Sequence, residues 1–243
     1  MIWRAFCVIF VVSTATVLPP VAAVFRAAPA FWVAASLLVF LTYLMIENQL
    51  ARRRLAESSG AAELWYLGRY AEALAEMEGT RGQGPAHPRA SLQRAMLLLC
   101  VWRVGEAISA LEDCLRGNAS DTHVRDVARP YLAYANALMG NVEAFGRWKA
   151  LAAAGHPACI LGEGILACRR GDWAEAHRVL ATPALGALGG PMRGLREALR
   201  VWAAARSGAT LPRADTATIA APGELDALRA VWPDAGAYLA EAG

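Results

Sequence analysis

The sequence predicts an all-α protein, in which an N-terminal transmembrane helical hairpin is followed by an α-solenoid of about four to five helix-turn-helix units. Two observations predict this fold class: two long uncharged stretches near the N-terminus, and a short pattern that returns about every 34 residues in the rest of the 243-residue chain. The predicted divisions are a membrane anchor at 1–54, four repeats at 55–183, and a degenerate fifth unit with a C-terminal cap at 184–243.

The N-terminal segment is apolar enough for two membrane spans. Arg4 and Arg26 enclose 21 residues without a charge, and Arg26 and Glu47 enclose another 20. At about 1.5 Å of rise per residue, each stretch matches as a helix the roughly 30 Å hydrocarbon core of a bilayer. We therefore expect spans at about 5–25 and 28–46, with the lipid bilayer as one partner of the chain.

Two other interpretations of this segment stay open. Pro19 and Pro20 weaken the first span, because proline kinks or ends a helix. Residues 5–18 also fit the apolar core of a signal peptide, with Val21-Ala22-Ala23 as its cleavage site. The third interpretation is a buried helical hairpin of a soluble protein. The transmembrane and the signal-peptide interpretations both leave the second span in place.

A basic triplet at 52–54, Arg52-Arg53-Arg54, directly follows the second span. Arginines that flank a span favour the cytoplasmic side, and the short connection between the spans holds only Arg26. We therefore predict an integral membrane protein, of the bacterial inner membrane, with a cytoplasmic C-terminal domain.

The charge of that domain excludes one class of partner. Residues 1–54 hold five basic residues and one acidic residue, so of the 24 basic and 21 acidic residues of the chain, 19 and 20 remain in 55–243. A nearly neutral domain lacks the clustered positive face that nucleic-acid binding requires. We expect no nucleic-acid partner.

A repeated pattern runs through the middle of the chain. A Glu-Ala pair followed by a bulky apolar residue four positions after the alanine occurs four times, with alanines separated by 34, 37 and 32 residues. The four copies are Glu72-Ala73 with Met77, Glu106-Ala107 with Leu111, Glu143-Ala144 with Trp148, and Glu175-Ala176 with Leu180. A small residue precedes each alanine by eleven or twelve positions: Ala61, Ala95, Ala133 and Gly164.

This pattern predicts helical hairpins. Small residues on one helix let the backbone of its partner approach closely, and the bulky residues fill the space between helices. Gly68, Gly140 and Gly171 are expected to end the first helix of their hairpins, because glycine readily takes the left-handed conformation. Asn141 and Asp172 are expected to cap the second helices.

At GRYAEA and GDWAEA the chain resembles the tetratricopeptide repeat family, whose unit is a 34-residue helix-turn-helix. The resemblance covers four units within 55–183. The sequence departs from the family pattern where Trp102 stands in place of the turn glycine, where the third turn, GNVEAF, is one residue short, and where the glycine-rich segment 79–88 extends the first connection.

The pattern decays after the fourth unit. We predict a loop at 184–191, an amphipathic helix at 195–208 and a last helix at 222–232. Terminal helices of repeat proteins are commonly atypical, because they cover the exposed end of the core.

The resemblance implies a concave groove, lined by the first helix of each unit, that holds a peptide, an amphipathic helix or a partner domain. The predicted lining consists of Arg89, Leu92, Met96, Tyr134, Leu138, Leu161, Ile165 and Arg169. The layout is similar to that of bacterial envelope repeat proteins, and it suggests a membrane-anchored scaffold or adaptor. An alternative is a structural or assembly subunit that is held through its transmembrane helices, where Ala34, Ala35 and Ser36 permit close helix contact.

A catalytic role has only one candidate, the segment around His156 and Cys159, with Cys168 on the same predicted helix. Three such residues are able to hold a metal or to form a nucleophile pair. No carboxylate adjoins His156 in the sequence, and cysteine packs well in an alanine-rich helix. We therefore expect a chain that is not an enzyme and has no catalytic, cofactor-binding or metal-binding residues.

Overall fold

The structure is a computed structural model that describes residues 40–43, 45, 60–79, 88–117, 121–209 and 224–242. The chain divides into two compact units, Met1–Glu57 and Ser58–Gly243. All regular structure in the described residues is helical, which confirms the predicted all-α class for them.

In the first unit, residues 40–43 and 45 are helical. The large apolar side chains of Phe40, Leu41, Tyr43 and Met45 are 41% to 65% exposed. The remainder of the predicted spans 5–25 and 28–46, and the basic triplet at 52–54, lie outside the described residues. Within the described part of the chain, no helix combines the length and the apolarity that a bilayer crossing requires.

The second unit is a succession of short helices. We number them α1 (residues 60–66), α2 (Tyr70–Gly79), α3 (Pro88–Cys100), α4 (Val104–Gly117), α5 (Thr122–Leu138), α6 (Val142–Leu151), α7 (Pro157–Arg169), α8 (Trp173–Leu180), α9 (Gly190–Arg206), α10 (Glu224–Val231) and α11 (Pro233–Ala242). A 3-10 helix, Pro183–Ala187, lies between α8 and α9.

Helices that are joined by a short turn pack against each other, as α3 does with α4, α5 with α6, α7 with α8 and α10 with α11. The first helices of successive pairs also touch, because α5 contacts both α3 and α7, and α7 contacts α9. Helix α9 reaches back to α3 as well. The helix after the fourth hairpin therefore packs against the second hairpin in addition to its chain neighbours.

The repeated small residues lie at the helix contacts, as predicted. Alanines of the four Glu-Ala pairs are buried, and so are Ala61, Ala95, Ala133 and Gly164. A Cβ added at Gly164 would lie 2.6 Å from a methyl carbon of Leu180, the bulky residue of the same repeat. Only a residue without a side chain lets α7 and α8 approach this closely.

The four inter-helix turns have the same hydrogen-bond pattern. At the third turn, the N–H of Gly140 donates to Ala137 O at 3.0 Å, and the N–H of Asn141 donates to Asn136 O at 2.8 Å. This pair of bonds defines the Schellman motif, whose central residue takes a left-handed conformation. The motif is repeated around Gly68, Trp102 and Gly171, with φ of 75°, 62° and 74°. The predicted role of the three glycines is confirmed, and Trp102 occupies the glycine position without a change of motif.

The predicted helix caps are also confirmed. Asn141 Oδ1 accepts a hydrogen bond from the N–H of Ala144 at 3.1 Å at the start of α6, and Asp172 Oδ1 accepts one from the N–H of Glu175 at 3.3 Å at the start of α8. Each cap satisfies one of the N–H groups that have no partner inside the helix.

The C-terminal region is more helical than expected. The predicted loop at 184–191 is wrong in part, because the 3-10 helix starts at Pro183 and α9 starts at Gly190. Pro191 is tolerated in the first turn of α9, where its missing N–H would have had no intrahelical acceptor. The helix predicted at 222–232 is confirmed as α10, but it is not the last one, because α11 follows at Pro233–Ala242.

Candidate functional site

The residues of the predicted groove do not form one open surface. Five of them are buried at 0% to 7% exposure: Leu92, Tyr134, Leu138, Leu161 and Ile165. Met96 and Arg169 are half-buried and line two separate cavities. Arg89 lies in α3, and its side chain is outside the described residues. The geometry therefore differs from the expected groove: the first helices use most of these side chains to pack against each other.

Met96 belongs to the central cavity, which has a volume of about 330 Å³. Its lining residues come from α1 to α3, α5, the start of α7 and the segment that leads into α9: Trp65, Tyr70, Met96, Cys100, Tyr131, His156, Pro157 and residues 187–192. Small-molecule and anchor-residue sites commonly have this size and this mixture of aromatic and apolar walls.

Two pairs of rings form the walls of the central cavity. Trp65 and Tyr70 meet edge to face at a centroid distance of 5.9 Å, and Tyr131 and His156 meet in the same way at 6.1 Å. Burial raises the pKa of the Tyr131 phenol and lowers the pKa of the His156 imidazole, so both side chains favour their neutral forms. A neutral wall suits an apolar or aromatic group rather than an ion.

One side of the central cavity is closed by the start of α9. Gly190 has a φ of 52°, and a Cβ added there would lie 2.7 Å from the hydroxyl oxygen of Tyr70. The position requires glycine because the left-handed conformation and the close approach to α2 both disfavour a side chain.

Arg169 belongs to a second cavity, of about 610 Å³, which we call the arginine cleft. It is formed by the end of α7, the turn to α8, the end of α9 and the first turns of α11. The lining consists of Cys168, Arg169, Arg170, Gly171, Trp173, Trp202, Arg206, Asp234, Ala237 and Tyr238.

Four aromatic rings form a cluster beside the arginine cleft. Trp202 is buried and stacks on Tyr238 at 5.2 Å, and its centroid lies 5.0 Å from Trp173 and 6.0 Å from Trp232. Aromatic pairs at such distances add about 0.5–1.5 kcal/mol each beyond the burial of their area. The cluster ties α8, α9 and α11 together and keeps the walls of the cleft rigid.

Arg169 connects the cleft to the rest of the fold. Its Nη2 donates to Leu138 O and, at 2.9 Å, to Val231 O, and its guanidinium lies 4.8 Å from the centre of the Trp232 ring. Burial lowers the pKa of Arg169, and the carboxylate of Asp234 opposes that shift. Arg169 is one of the predicted groove residues, but in the structure it lines the arginine cleft, which the sequence does not predict.

The His156 and Cys159 pair is not arranged for nucleophilic chemistry. His156 Nδ1 accepts a hydrogen bond from the N–H of Ala158 at 3.2 Å, so this imidazole caps α7. Burial raises the pKa of the Cys159 thiol to about 11 and that of Cys168 to about 12. At neutral pH such thiols hold almost no thiolate, which is the reactive form. In the described part of the chain, no group of three metal-ligating side chains comes together.

Several lining residues of the two cavities are absent from the predicted groove. Tyr70 and Trp173 each precede the alanine of a repeat by three positions, and an aromatic residue there indicates packing between units rather than a cavity. Tyr131 and Arg206 carry no pattern of their own.

The chain was also compared with known proteins, and no family model, curated protein or solved structure matches it.

Proposed function

We propose that this chain is a membrane-anchored adaptor of the tetratricopeptide type, which holds a segment of a partner protein at the cytoplasmic face of the membrane. The observation that carries the proposal is the central cavity, an aromatic-walled and neutral recess between stacked helical hairpins. A recess of about 330 Å³ accepts a large apolar side chain, such as the anchor residue of a peptide or of an amphipathic helix.

The membrane anchor rests on the sequence of residues 1–54. Its two uncharged stretches and the arginine triplet favour two spans and a cytoplasmic domain. Anchoring raises the effective concentration of the domain near membrane partners, so a recess of modest affinity is sufficient for the proposed role.

An in-cell crosslinking pull-down of the full-length chain tests the adaptor function. Met96→Glu introduces a charge into the neutral recess at a half-buried position, so we expect it to abolish capture of the partner without unfolding the domain. Met139→Glu is the matched control, because Met139 is an exposed methionine outside the cavity. Tyr134 and Ile165 are unsuitable for this test, since both are fully buried and a glutamate there would disrupt the core.

A partner that is captured by the wild type and by Met139→Glu but not by Met96→Glu supports the adaptor. Equal capture by all three chains excludes the central cavity as the binding site. Circular dichroism of the purified variants shows whether each has kept its helices.

A second candidate function is a structural or assembly subunit that binds a membrane complex through its N-terminal helices. The exposed apolar side chains of Phe40, Leu41, Tyr43 and Met45 favour this role, because apolar groups on a helix surface contact lipid or another helix. In the same experiment, this subunit would keep its partners when Met96 is changed and would lose them when residues 1–54 are deleted.

A further inference from the structure

The arginine cleft is a candidate binding site that is separate from the central cavity. Its side chains differ in kind from those of the adaptor site: three arginines and one aspartate line it, together with tryptophan and tyrosine rings. We propose that this cleft binds a phosphomonoester group, carried by a molecule whose remaining part lies on the aromatic wall.

Two of the three arginines in the cleft, Arg170 and Arg206, have no hydrogen-bond acceptor among the described residues. In the described part of the chain, the side chains of Arg170 and Arg206 make no hydrogen bond and no ion pair; Arg206 only lies over the Trp173 ring, 5.7 Å from its centre. Arg178, on the neighbouring helix, shows the usual arrangement, because its guanidinium binds the carboxylate of Glu175 through two hydrogen bonds of 2.6 Å. The pKa of Glu175 is lowered chiefly by the hydrogen bonds of Arg178 and in smaller part by the charge of Arg170, which makes no hydrogen bond to it. Arg170 and Arg206 therefore retain their donors for a ligand.

The third arginine, Arg169, also lines the cleft, and its hydrogen bonds hold it in place. Its Nη2 is occupied by two backbone carbonyls, but its Nε is buried and has no hydrogen-bond partner among the described residues. Because this Nε has almost no accessible surface, it does not itself contact a ligand in the cleft, and Arg169 contributes its positive charge to the wall instead.

The charge of the lining selects the class of anion. Three arginines and Asp234 leave two positive charges in excess. A phosphomonoester carries a charge of about −1.5 to −2 near pH 7, whereas a carboxylate carries only one negative charge. The planar guanidinium also presents paired N–H donors that match phosphate oxygens. A phosphomonoester therefore neutralises the cleft more completely than a carboxylate.

The size of the cleft indicates that the ligand is larger than phosphate alone. A volume of about 610 Å³ lies within the ordinary range of ligand sites, roughly 300–1,000 Å³. Trp173 and Tyr238 provide an apolar wall beside the arginines, on which a ring or an acyl chain is able to lie. Two sources share this chemistry: a soluble phosphorylated metabolite and the headgroup of phosphatidic acid.

Calorimetric titration of the full-length chain in a neutral detergent tests the proposal. One arm uses inorganic phosphate, and the other uses dihexanoyl phosphatidic acid, with dihexanoyl phosphatidylcholine, a zwitterionic phosphodiester of zero net charge, as the comparison. We expect saturable binding in at least one arm, and at least tenfold weaker binding by the double variant Arg170→Gln, Arg206→Gln. The matched control is Arg147→Gln, Arg193→Gln, which removes the same charge from exposed arginines outside both cavities and should stay within twofold of the wild type.

The titrations distinguish a soluble ligand from a lipid headgroup, and each result either supports or overturns the proposal. Binding of phosphate that is no weaker than that of phosphatidic acid assigns a soluble ligand, and binding that is restricted to phosphatidic acid or tighter for it assigns a lipid headgroup. The absence of saturable binding in both arms, or equal weakening by the two double variants, overturns the proposal. If circular dichroism shows that the cleft double variant has lost its helices, the single variants replace it, each with an expected loss of threefold or more. The adaptor function does not depend on this result, because Met96 and the central cavity are unchanged in every variant.

Discussion

The second and the fourth inter-helix turns have the same backbone geometry but are made from different residues. In the fourth turn, Gly171 takes the left-handed conformation and Asp172 caps the next helix. In the second turn, Trp102 takes that conformation with a φ of 62°, and Arg103 follows it. A bulky residue in the left-handed region costs roughly 1–2 kcal/mol, which glycine avoids.

The side chain of Trp102 explains why the cost is tolerated. The indole is 1% exposed and belongs to the hydrophobic core around α3 and α4. Loss of a buried tryptophan side chain typically destabilises a protein by about 3–5 kcal/mol, which exceeds the backbone strain. Burial therefore replaces conformational freedom as the stabilising factor of the second turn, so gaining a glycine should destabilise the second turn, whereas losing its glycine should destabilise the fourth.

The largest effect is expected from Trp102→Gly. This change removes the strain but empties the space of the indole, so we predict a loss of about 2–4 kcal/mol in the free energy of unfolding. Urea unfolding followed by circular dichroism measures it. Trp102→Ala is the control, because alanine keeps the strain and should be about 1 kcal/mol less stable than the glycine variant. An alanine variant as stable as the glycine variant would show that the turn is not strained.

Gly140→Ala should have the next largest effect. Its φ is 77°, and a Cβ there would lie 3.1 Å from Nη1 of Arg169, so the change adds strain and displaces the guanidinium. We predict a loss of about 2–3 kcal/mol in the same urea measurement, since about 1–2 kcal/mol of strain is joined by weaker Arg169 hydrogen bonds. A loss no larger than that of Gly171→Ala would mean that Arg169 moves at no cost, and an unchanged midpoint would contradict the strain as well.

Gly171→Ala tests the strain of the left-handed backbone in the absence of a close steric contact. Its φ is 74°, but a Cβ there would meet only Nε1 of Trp173, at an ordinary 3.9 Å. We predict a loss of about 1 kcal/mol, measured in the same way. The difference between the Gly140 and Gly171 variants then reports the contact with Arg169. If Gly171→Ala proved the more damaging of the two, the assigned cause would be incorrect.

The smallest expected effect is a shift in the pKa of Glu106, which pairs with Arg103, the residue after the second turn. Where the fourth turn has Asp172, the second has Arg103, whose Nε and Nη2 each donate to Glu106 at 2.6 Å. These hydrogen bonds lower the pKa of Glu106 below 4.5. The ionised pair therefore adds stability above pH 4.5 and loses it as the pH falls through the lowered pKa. An NMR titration should give a midpoint below 4.5 for Glu106, and Arg103→Gln should raise it; an unchanged midpoint in that variant would contradict the pairing.

Features that depend on neighbouring residues were predictable from the sequence. A glycine at a left-handed position, an asparagine or aspartate cap and a small residue at a helix contact each follow from the chain within one hairpin. Gly140, Asn141 and Gly164 took the predicted roles for this reason. Trp102 departs visibly from the turn glycine, but nothing in its own hairpin indicates that its indole is buried.

Features that depend on distant segments were not predictable. Tyr134 and Ile165 have the same residue types whether they line a groove or pack against another helix, and only the contacts between α5, α7 and their neighbours decide between the two. The arginine cleft likewise joins Arg170 and Arg206, which are 36 residues apart, with Asp234 of the last helix.

The hydrogen bonds of Arg169 bear on the order in which the second unit comes apart. Leu138 O and Val231 O belong to the last turns of α5 and α10, where the helix dipole is negative, so one cation stabilises two helix ends by roughly 0.3–1 kcal/mol each. The α10–α11 pair is contacted by this arginine, by α9 and by the tryptophan cluster. We expect such a terminal pair to open separately, so that its amides exchange with solvent before those of α5 and α7.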